Sequence, residues 1–153
     1  MNKDFYTFSE YIKKDQSLLT PSMEDYVEMI YRISGKNGYT RINELSNALN
    51  VQPPSVTKMI KKLADAGLVN YERYGIITLT QNGKIKGHIL LTRHNIVQNF
   101  LKSIGLNKNL LEQTEKIEHT INEETLNCMI DYLNFLNDNP DIKIKFEKYK
   151  ANK

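Results

Sequence analysis

Two consecutive prolines, Pro53-Pro54, constrain the fold of this chain more tightly than any other feature. Proline suits the first turn of a helix, where its missing N–H breaks no bond. A helix therefore opens there, with Val56, Met59, Ile60 and Leu63 as its buried stripe. Just upstream, Asn50-Val51-Gln52 reads as a tight turn, preceded by a short amphipathic helix carrying Ile42, Leu45, Ala48 and Leu49. Downstream of Ala66-Gly67, residues 68–71 and 76–79 read as strands joined by Glu72-Arg73-Tyr74-Gly75, with glycine at the tip. Helix, tight turn, helix and β-hairpin within residues 41–80 is the order of a winged helix-turn-helix.

The flanks are helical. Thr20-Pro21 pairs a cap residue with proline at the first helical position, and Met23, Val27, Ile30 and Tyr31 follow as an apolar stripe. Asp25 and Glu28 lie on the opposite face of that helix, which should end at Ser34-Gly35. Residues 81–103 form one long helical pattern with two apolar rows. Ile85, Ile89, Ile96 and Phe100 make one row; Leu90, Val97 and Leu101, with His94 among them, make the other. A helix apolar on two sides joins two units. Residues 107–121 and 123–137 give two further helices, broken near Asn122, and Asn137-Asp138-Asn139-Pro140 is a stop signal. The expected fold is mainly α: an N-terminal winged helix-turn-helix with a small β-hairpin wing, then a C-terminal helical domain. The organisation is an extension over 1–19, a winged-helix domain over 20–80, a linking helix and helical domain over 81–139, and a tail over 140–153. Phe5, Phe8, Tyr11 and Ile12 fall near helical spacing in the extension, and the Lys-rich tail reads as a final helix or a frayed end.

Composition narrows the function. A chain of 153 residues holds one ordinary domain or two small ones. No stretch approaches the roughly 20 apolar residues of a membrane span, and the N-terminus lacks a hydrophobic signal region. The single Cys128 excludes an internal disulfide and a thiolate zinc cluster. It fits a reducing cytoplasm, and the plainest reading makes it a small core residue. The net charge of +3 is mild, so the local distribution of charge must indicate the partner.

That distribution points to double-stranded operator DNA. Ser55, Thr57, Lys58, Lys61 and Lys62 face away from the buried stripe of the helix that Pro54 opens, and residues 51–62 contain no acidic side chain. Hydroxyls and lysines at a helix N-terminus suit base edges and phosphates. Arg73 and Tyr74 sit at the wing tip, and Arg41 adds a further candidate phosphate contact. The competing reading is a solvated lysine face on a protein-interaction module.

Glu115, Glu118 and His119 follow the i, i+3, i+4 spacing that brings three side chains to one helix face. Together with Asp25, Glu28 and His94 they make an oxygen-rich donor set with imidazole and no thiolate, which suits Mn²⁺ best among Mn²⁺, Fe²⁺ and Zn²⁺. Each piece has a plainer reading. Asp25 can complete a capping box with Ser22, Glu28 can be a surface charge, and His94 a satisfied core histidine. Glu115, Glu118 and His119 can be a solvated face, although Glu112, Glu115, Glu118, Glu123 and Glu124 surround only Lys116 and repel unless exposed or neutralised.

Thr20-Pro21-Ser22-Met23-Glu24-Asp25-Tyr26-Val27-Glu28-Met29-Ile30-Tyr31, Pro54-Ser55-Val56-Thr57-Lys58-Met59, Arg93-His94 and Ile117-Glu118-His119 resemble the diphtheria-toxin-repressor family of metal-dependent regulators. The resemblance covers roughly residues 20–137 and is closest to the manganese-responsive branch. It implies a homodimeric repressor whose N-terminal domain, residues 20–80, binds DNA and whose C-terminal helical domain, residues 81–139, is the metal-binding and dimerisation domain. No enzyme activity and no small organic substrate are expected, because the sequence suggests neither a nucleophile nor a substrate pocket. Its ligand positions carry over onto Asp25, Glu28, His94, Glu115, Glu118 and His119, which in that branch enclose a binuclear manganese site; Fe²⁺, Co²⁺ or Zn²⁺ can substitute in vitro. Asp25 stands where the iron-responsive branch has methionine, and Glu115 where it has cysteine. Three departures are visible: the extension over 1–19, Gln98 where the family often has glutamate, and a chain end without the SH3-like third domain of the iron branch. The implied output is repression of metal-uptake genes. The alternatives are an Fe(II)-responsive repressor of the same family and a metal-independent winged-helix regulator.

Overall fold

The computed structural model describes residues 6–7, 10–11 and 19–153, the side chain of Arg73 excepted. The helix expected from Phe5, Phe8, Tyr11 and Ile12 lies, apart from Tyr11, outside the described residues. The elements are α1 (Pro21–Ser34), β1 (Thr40–Arg41), α2 (Ile42–Leu49), α3 (Pro53–Asp65), β2 (Val69–Tyr71), a short 3₁₀ turn (Arg73–Gly75), β3 (Ile76–Leu79), α4 (Gln81–Ser103), α5 (Leu110–Glu118), α6 (Glu123–Asp138) and α7 (Pro140–Ala151). The chain divides into two compact units, residues 1–90 and 91–153, and the division falls within α4.

The first unit is the winged helix. Thr20 caps α1 by accepting a hydrogen bond from the Met23 N–H at 3.3 Å. The cap is Thr20, as expected from Thr20-Pro21, so Ser22 is not the cap that the alternative reading of Asp25 would need. The turn between α2 and α3 closes through Asn50, whose φ of 56° places it in the left-handed region that asparagine tolerates. The Ser46 hydroxyl donates to the Val51 carbonyl at 2.5 Å and the Val51 N–H donates to the Ser46 carbonyl at 3.1 Å. Ser46 is accordingly buried, whereas Ala48 is exposed, contrary to expectation. A small polar side chain that satisfies the turn displaces the apolar residue that periodicity alone would choose.

Val27, Ile30, Leu45, Val56, Ile60, Leu63 and Ile77 are fully buried together and form the core of this unit. Each such side chain contributes up to about 1.5–3 kcal/mol of burial free energy. The hairpin is joined by a strand that the sequence did not announce. Thr40 and Arg41 pair antiparallel with Ile77 and Ile76, so the sheet order is β1-β3-β2. Glu44 holds the start of α2, accepting from the Thr40 hydroxyl at 2.8 Å and the Arg41 N–H at 3.1 Å.

The start of α4 packs against this unit through two glycines. A Cβ on Gly83 would stand 2.0 Å from the Leu68 carbonyl oxygen, and one on Gly87 would stand 2.6 Å from the Tyr31 Cβ. Thr80 caps the helix, its hydroxyl accepting from the Gly83 N–H at 3.0 Å and donating to the Gly67 carbonyl at 2.7 Å. Ile85 and Ile89 are about half exposed (52% and 53%), so among the described residues the first half of their apolar row of α4 is not covered.

The second unit holds the rest of α4 with α5, α6 and α7. Val97, Leu101 and Leu136 are buried, and the Phe100 and Tyr132 rings meet edge to face at 5.7 Å. Asn122 caps α6, accepting from the Thr125 N–H at 2.8 Å. The tail is a helix, opened by Pro140 at its first turn. Cys128 is exposed, which corrects its reading as a core residue: it lies on the outer side of α6, while Leu126, Met129 and Ile130 on the other side are partly buried.

Candidate metal centre and nucleic-acid interface

In the first unit, burial of Val56, Ile60 and Leu63 turns the opposite side of α3 to solvent. Pro54, Ser55, Lys58, Lys61 and Lys62 are all exposed along it. Thr57 is half-buried and its hydroxyl donates to the Pro53 carbonyl at 3.2 Å, so part of its hydrogen-bonding capacity serves the helix itself. The wing tip is a tight reversal in which Tyr74 and Gly75 both take positive φ, 68° and 73°. Left-handed backbone suits glycine and burdens tyrosine. Tyr74 is nonetheless 90% exposed, an aromatic ring presented to solvent at the tip. Arg41 steadies that tip: its Nη1 donates to the Tyr74 carbonyl at 3.2 Å, and its guanidinium lies 5.8 Å from the centre of the Tyr39 ring.

Asp25 and Glu28 also belong to the first unit, one turn apart on α1. Glu28 is buried rather than a surface charge. Arg32, a turn further on, binds one of its carboxylate oxygens through both Nε (2.9 Å) and Nη2. Sequence reading missed Arg32, although its i+4 spacing from Glu28 was the available signal.

The other four candidate donors belong to the second unit. His94 lies on α4 and is 2% exposed. Its Nδ1 stands 2.9 Å from Glu118 Oε2 and 3.4 Å from Glu115 Oε1. Glu118, near the end of α5, is fully buried, and neither of its carboxylate oxygens has a hydrogen-bond donor among the described residues. His119 caps the same helix, with Nε2 3.7 Å from Glu118 Oε1. Glu115, Glu118 and His119 each present a ligand atom within 4.8 Å of the others. Glu118 and His94 are buried, so the cluster is not a wholly solvated face. A buried carboxylate flanked by two imidazoles and a second carboxylate is costly unless a cation or protons balance it. Lys116 does not supply that charge, because it pairs with Glu112 on the exposed side of α5 and holds that carboxyl below its usual range. A further basic group does reach the cluster: Arg93 Nη2 lies 3.2 Å from His119 Nδ1.

Residues 18–77 match the iron dependent repressor N-terminal DNA binding domain, and residues 80–147 match the iron dependent repressor metal binding and dimerisation domain. The chain belongs to the iron-dependent-repressor family. It is 39% identical over 133 residues to the HTH-type transcriptional regulator MntR of Lysinibacillus sphaericus, a match spanning 86% of this chain and 96% of that protein. The regulator of the same name from Oceanobacillus iheyensis is 39% identical over 127 residues, 82% of this chain and 86% of that one. Among solved structures, T. acidophilum IdeR superimposes with a TM-score of 0.65 at 26% identity, over 78% of this chain and 55% of that chain. The manganese regulator SloR does so with a TM-score of 0.67 at 27% identity, over 76% and 55%. This chain thus spans about half the length of these solved chains.

As a member of the iron-dependent-repressor family, the chain is a metal-responsive transcriptional repressor that binds DNA, a divalent metal and a second copy of itself. It is a DNA-binding regulator and not an enzyme. The mainly helical fold with a small antiparallel wing agrees with the fold class expected from the sequence. No helix among the described residues is long and apolar enough to cross a membrane.

Proposed function

We propose that this repressor is activated by manganese and silences metal-uptake genes. In this reading Asp25, Glu28, His94, Glu115, Glu118 and His119 are the ligands of a binuclear site in each subunit. The observation that carries it is Glu118, a fully buried carboxylate that has no hydrogen-bond donor among the described residues and lies 2.9 Å from a buried imidazole. The donor chemistry agrees, with four carboxylates, two imidazoles and no thiolate, a set that favours Mn²⁺ over softer ions. The names of similar proteins, the regulator MntR and the manganese regulator SloR, point the same way. Fe²⁺ is the second reading, favoured by the family's description and by the likeness to IdeR, since iron accepts the same ligand types.

When bound, the metal supplies the positive charge that lets these carboxylates approach one another. Asp25 and Glu28 then tie α1, and with it the DNA-binding unit, to His94 and α5. Tied in that way, the two α3 helices of a dimer are held at the spacing of two half-sites. Metal favours the DNA-competent population, and DNA in return tightens metal binding. The repressor acts where its operator is, in the cytoplasm.

Asp25→Ala tests the tie. DNA binding by the wild type should rise with Mn²⁺ and vanish with chelator, whereas Asp25→Ala should bind weakly in both conditions. A variant that still binds DNA as tightly as the wild type, indifferent to Mn²⁺ and chelator, would sink the model. For the DNA face we assign Arg41, Pro54, Ser55, Thr57, Lys58, Lys61, Lys62, Arg73 and Tyr74. Lys58→Ala and Lys61→Ala should each weaken binding to all sequences alike. Each should also reduce the slope of log affinity against log salt by about 1. Unchanged slopes in fluorescence anisotropy would exclude phosphate contacts from these lysines.

A further inference from the structure

Arg93 and His94 are neighbours on α4, so their side chains diverge by about 100°. His94 meets Glu118 and Glu115, while Arg93 places Nη2 3.2 Å from His119 Nδ1. An arginine nitrogen only donates hydrogen bonds, so His119 Nδ1 is the acceptor in this contact. The proton of the neutral imidazole then sits on Nε2, the nitrogen that faces Glu118 Oε1 at 3.7 Å. Neither nitrogen offers a lone pair to a metal in that arrangement: one is engaged by Arg93 and the other carries hydrogen. The Arg93 Nε atom is shielded from solvent, so the guanidinium brings a permanent positive charge to a part-buried, carboxylate-rich place.

We infer that Arg93 is a built-in competitor of the metal. It occupies His119 Nδ1 and balances the carboxylate charge while metal is absent, and it must release the histidine before that histidine can ligate. It thereby sets the metal concentration at which the repressor responds. This rests on the reading of His119 and Glu118 as ligands. The opposite role would be a supporting one, in which Arg93 orients His119 toward the metal and strengthens binding. The two roles predict opposite signs.

The test uses the full-length chain and Mn²⁺ itself, with free Mn²⁺ read by electron paramagnetic resonance. Arg93→Gln keeps a hydrogen-bond donor of moderate length and removes the charge. Removing a like charge so close to a cation site should raise manganese affinity on the order of tenfold. The metal-free form should meanwhile lose thermal stability that Mn²⁺ restores. Arg93→Lys, which keeps the charge and one donor, should stay near wild type. Unchanged or weaker affinity in Arg93→Gln would overturn the inference. A second measurement needs no variant: long-range ¹H–¹⁵N spectra of the metal-free wild type should show His119 as the Nε2–H tautomer, and the Nδ1–H tautomer would contradict it. If the wild type takes up no Mn²⁺ at all, the ligand assignment fails instead, and the tautomer measurement still reports on the Arg93 contact.

Discussion

Glu118→Gln is expected to lower manganese affinity at least about a hundredfold, at or beyond the upper end of what losing a supporting residue costs a metal site. DNA binding should then no longer respond to Mn²⁺. The substitution changes little but charge, since glutamine has nearly the shape of glutamate and fits the same fully buried position. One Glu118 oxygen lies 2.9 Å from His94, and the other lies 3.7 Å from His119. Isothermal titration with Mn²⁺ reads the affinity. The thermal midpoint without metal should hold, because a neutral amide replaces a charge that burial penalises. Loss of fold would show a structural residue, and intact affinity would remove Glu118 from the ligand set.

The second large effect concerns packing. Gly83→Ala should destabilise the chain by about 1–3 kcal/mol, the range of an overpacked core. Alanine ordinarily improves a helix over glycine by about 1 kcal/mol, so the expected sign is opposite to propensity. The reason is local: the new Cβ meets the Leu68 carbonyl oxygen at 2.0 Å and Leu79 Cδ2 at 3.1 Å. That carbonyl cannot swing away cheaply, because it accepts from the Thr80 N–H at 3.0 Å. The denaturant midpoint should fall while the slope stays constant. A midpoint equal to or above wild type would show that the turn relaxes freely.

The elements legible in the sequence are those whose signals are chemical and local. Pro53-Pro54 and Asn50 announced the turn and the helix after it, and Thr20-Pro21 announced the start of α1. Strand β1 was not legible, since two residues show no alternation and its pairing with Ile76 and Ile77 depends on the fold. Ala48 and Ser46 exchanged expected roles because the Ser46 hydroxyl satisfies the turn backbone. The two-sided apolar pattern of α4 is legible as a pattern, but Ile85 and Ile89 stay about half exposed among the described residues. Cys128 was misplaced because residue type is a weak guide to which side of an exposed helix a residue takes.

The candidate site was legible as a set of donor types and much less so as an arrangement. Spacing put Glu115, Glu118 and His119 on one face, yet it did not reveal that Glu118 is fully buried while the Glu115 side chain remains 44% exposed. Nor did it reveal the two arginines, Arg32 at Glu28 and Arg93 at His119, because local patterns count charges without saying which ones meet.

The central claim is that metal controls DNA binding through one carboxylate and imidazole cluster. It is tested most directly by measuring binding to the DNA upstream of the chain's own gene against Mn²⁺, Fe²⁺, Zn²⁺ and Co²⁺ under reducing conditions. The account predicts no specific complex in chelator and a saturable rise that Mn²⁺ drives most fully. Specific binding of equal strength with chelator and with every metal would contradict it.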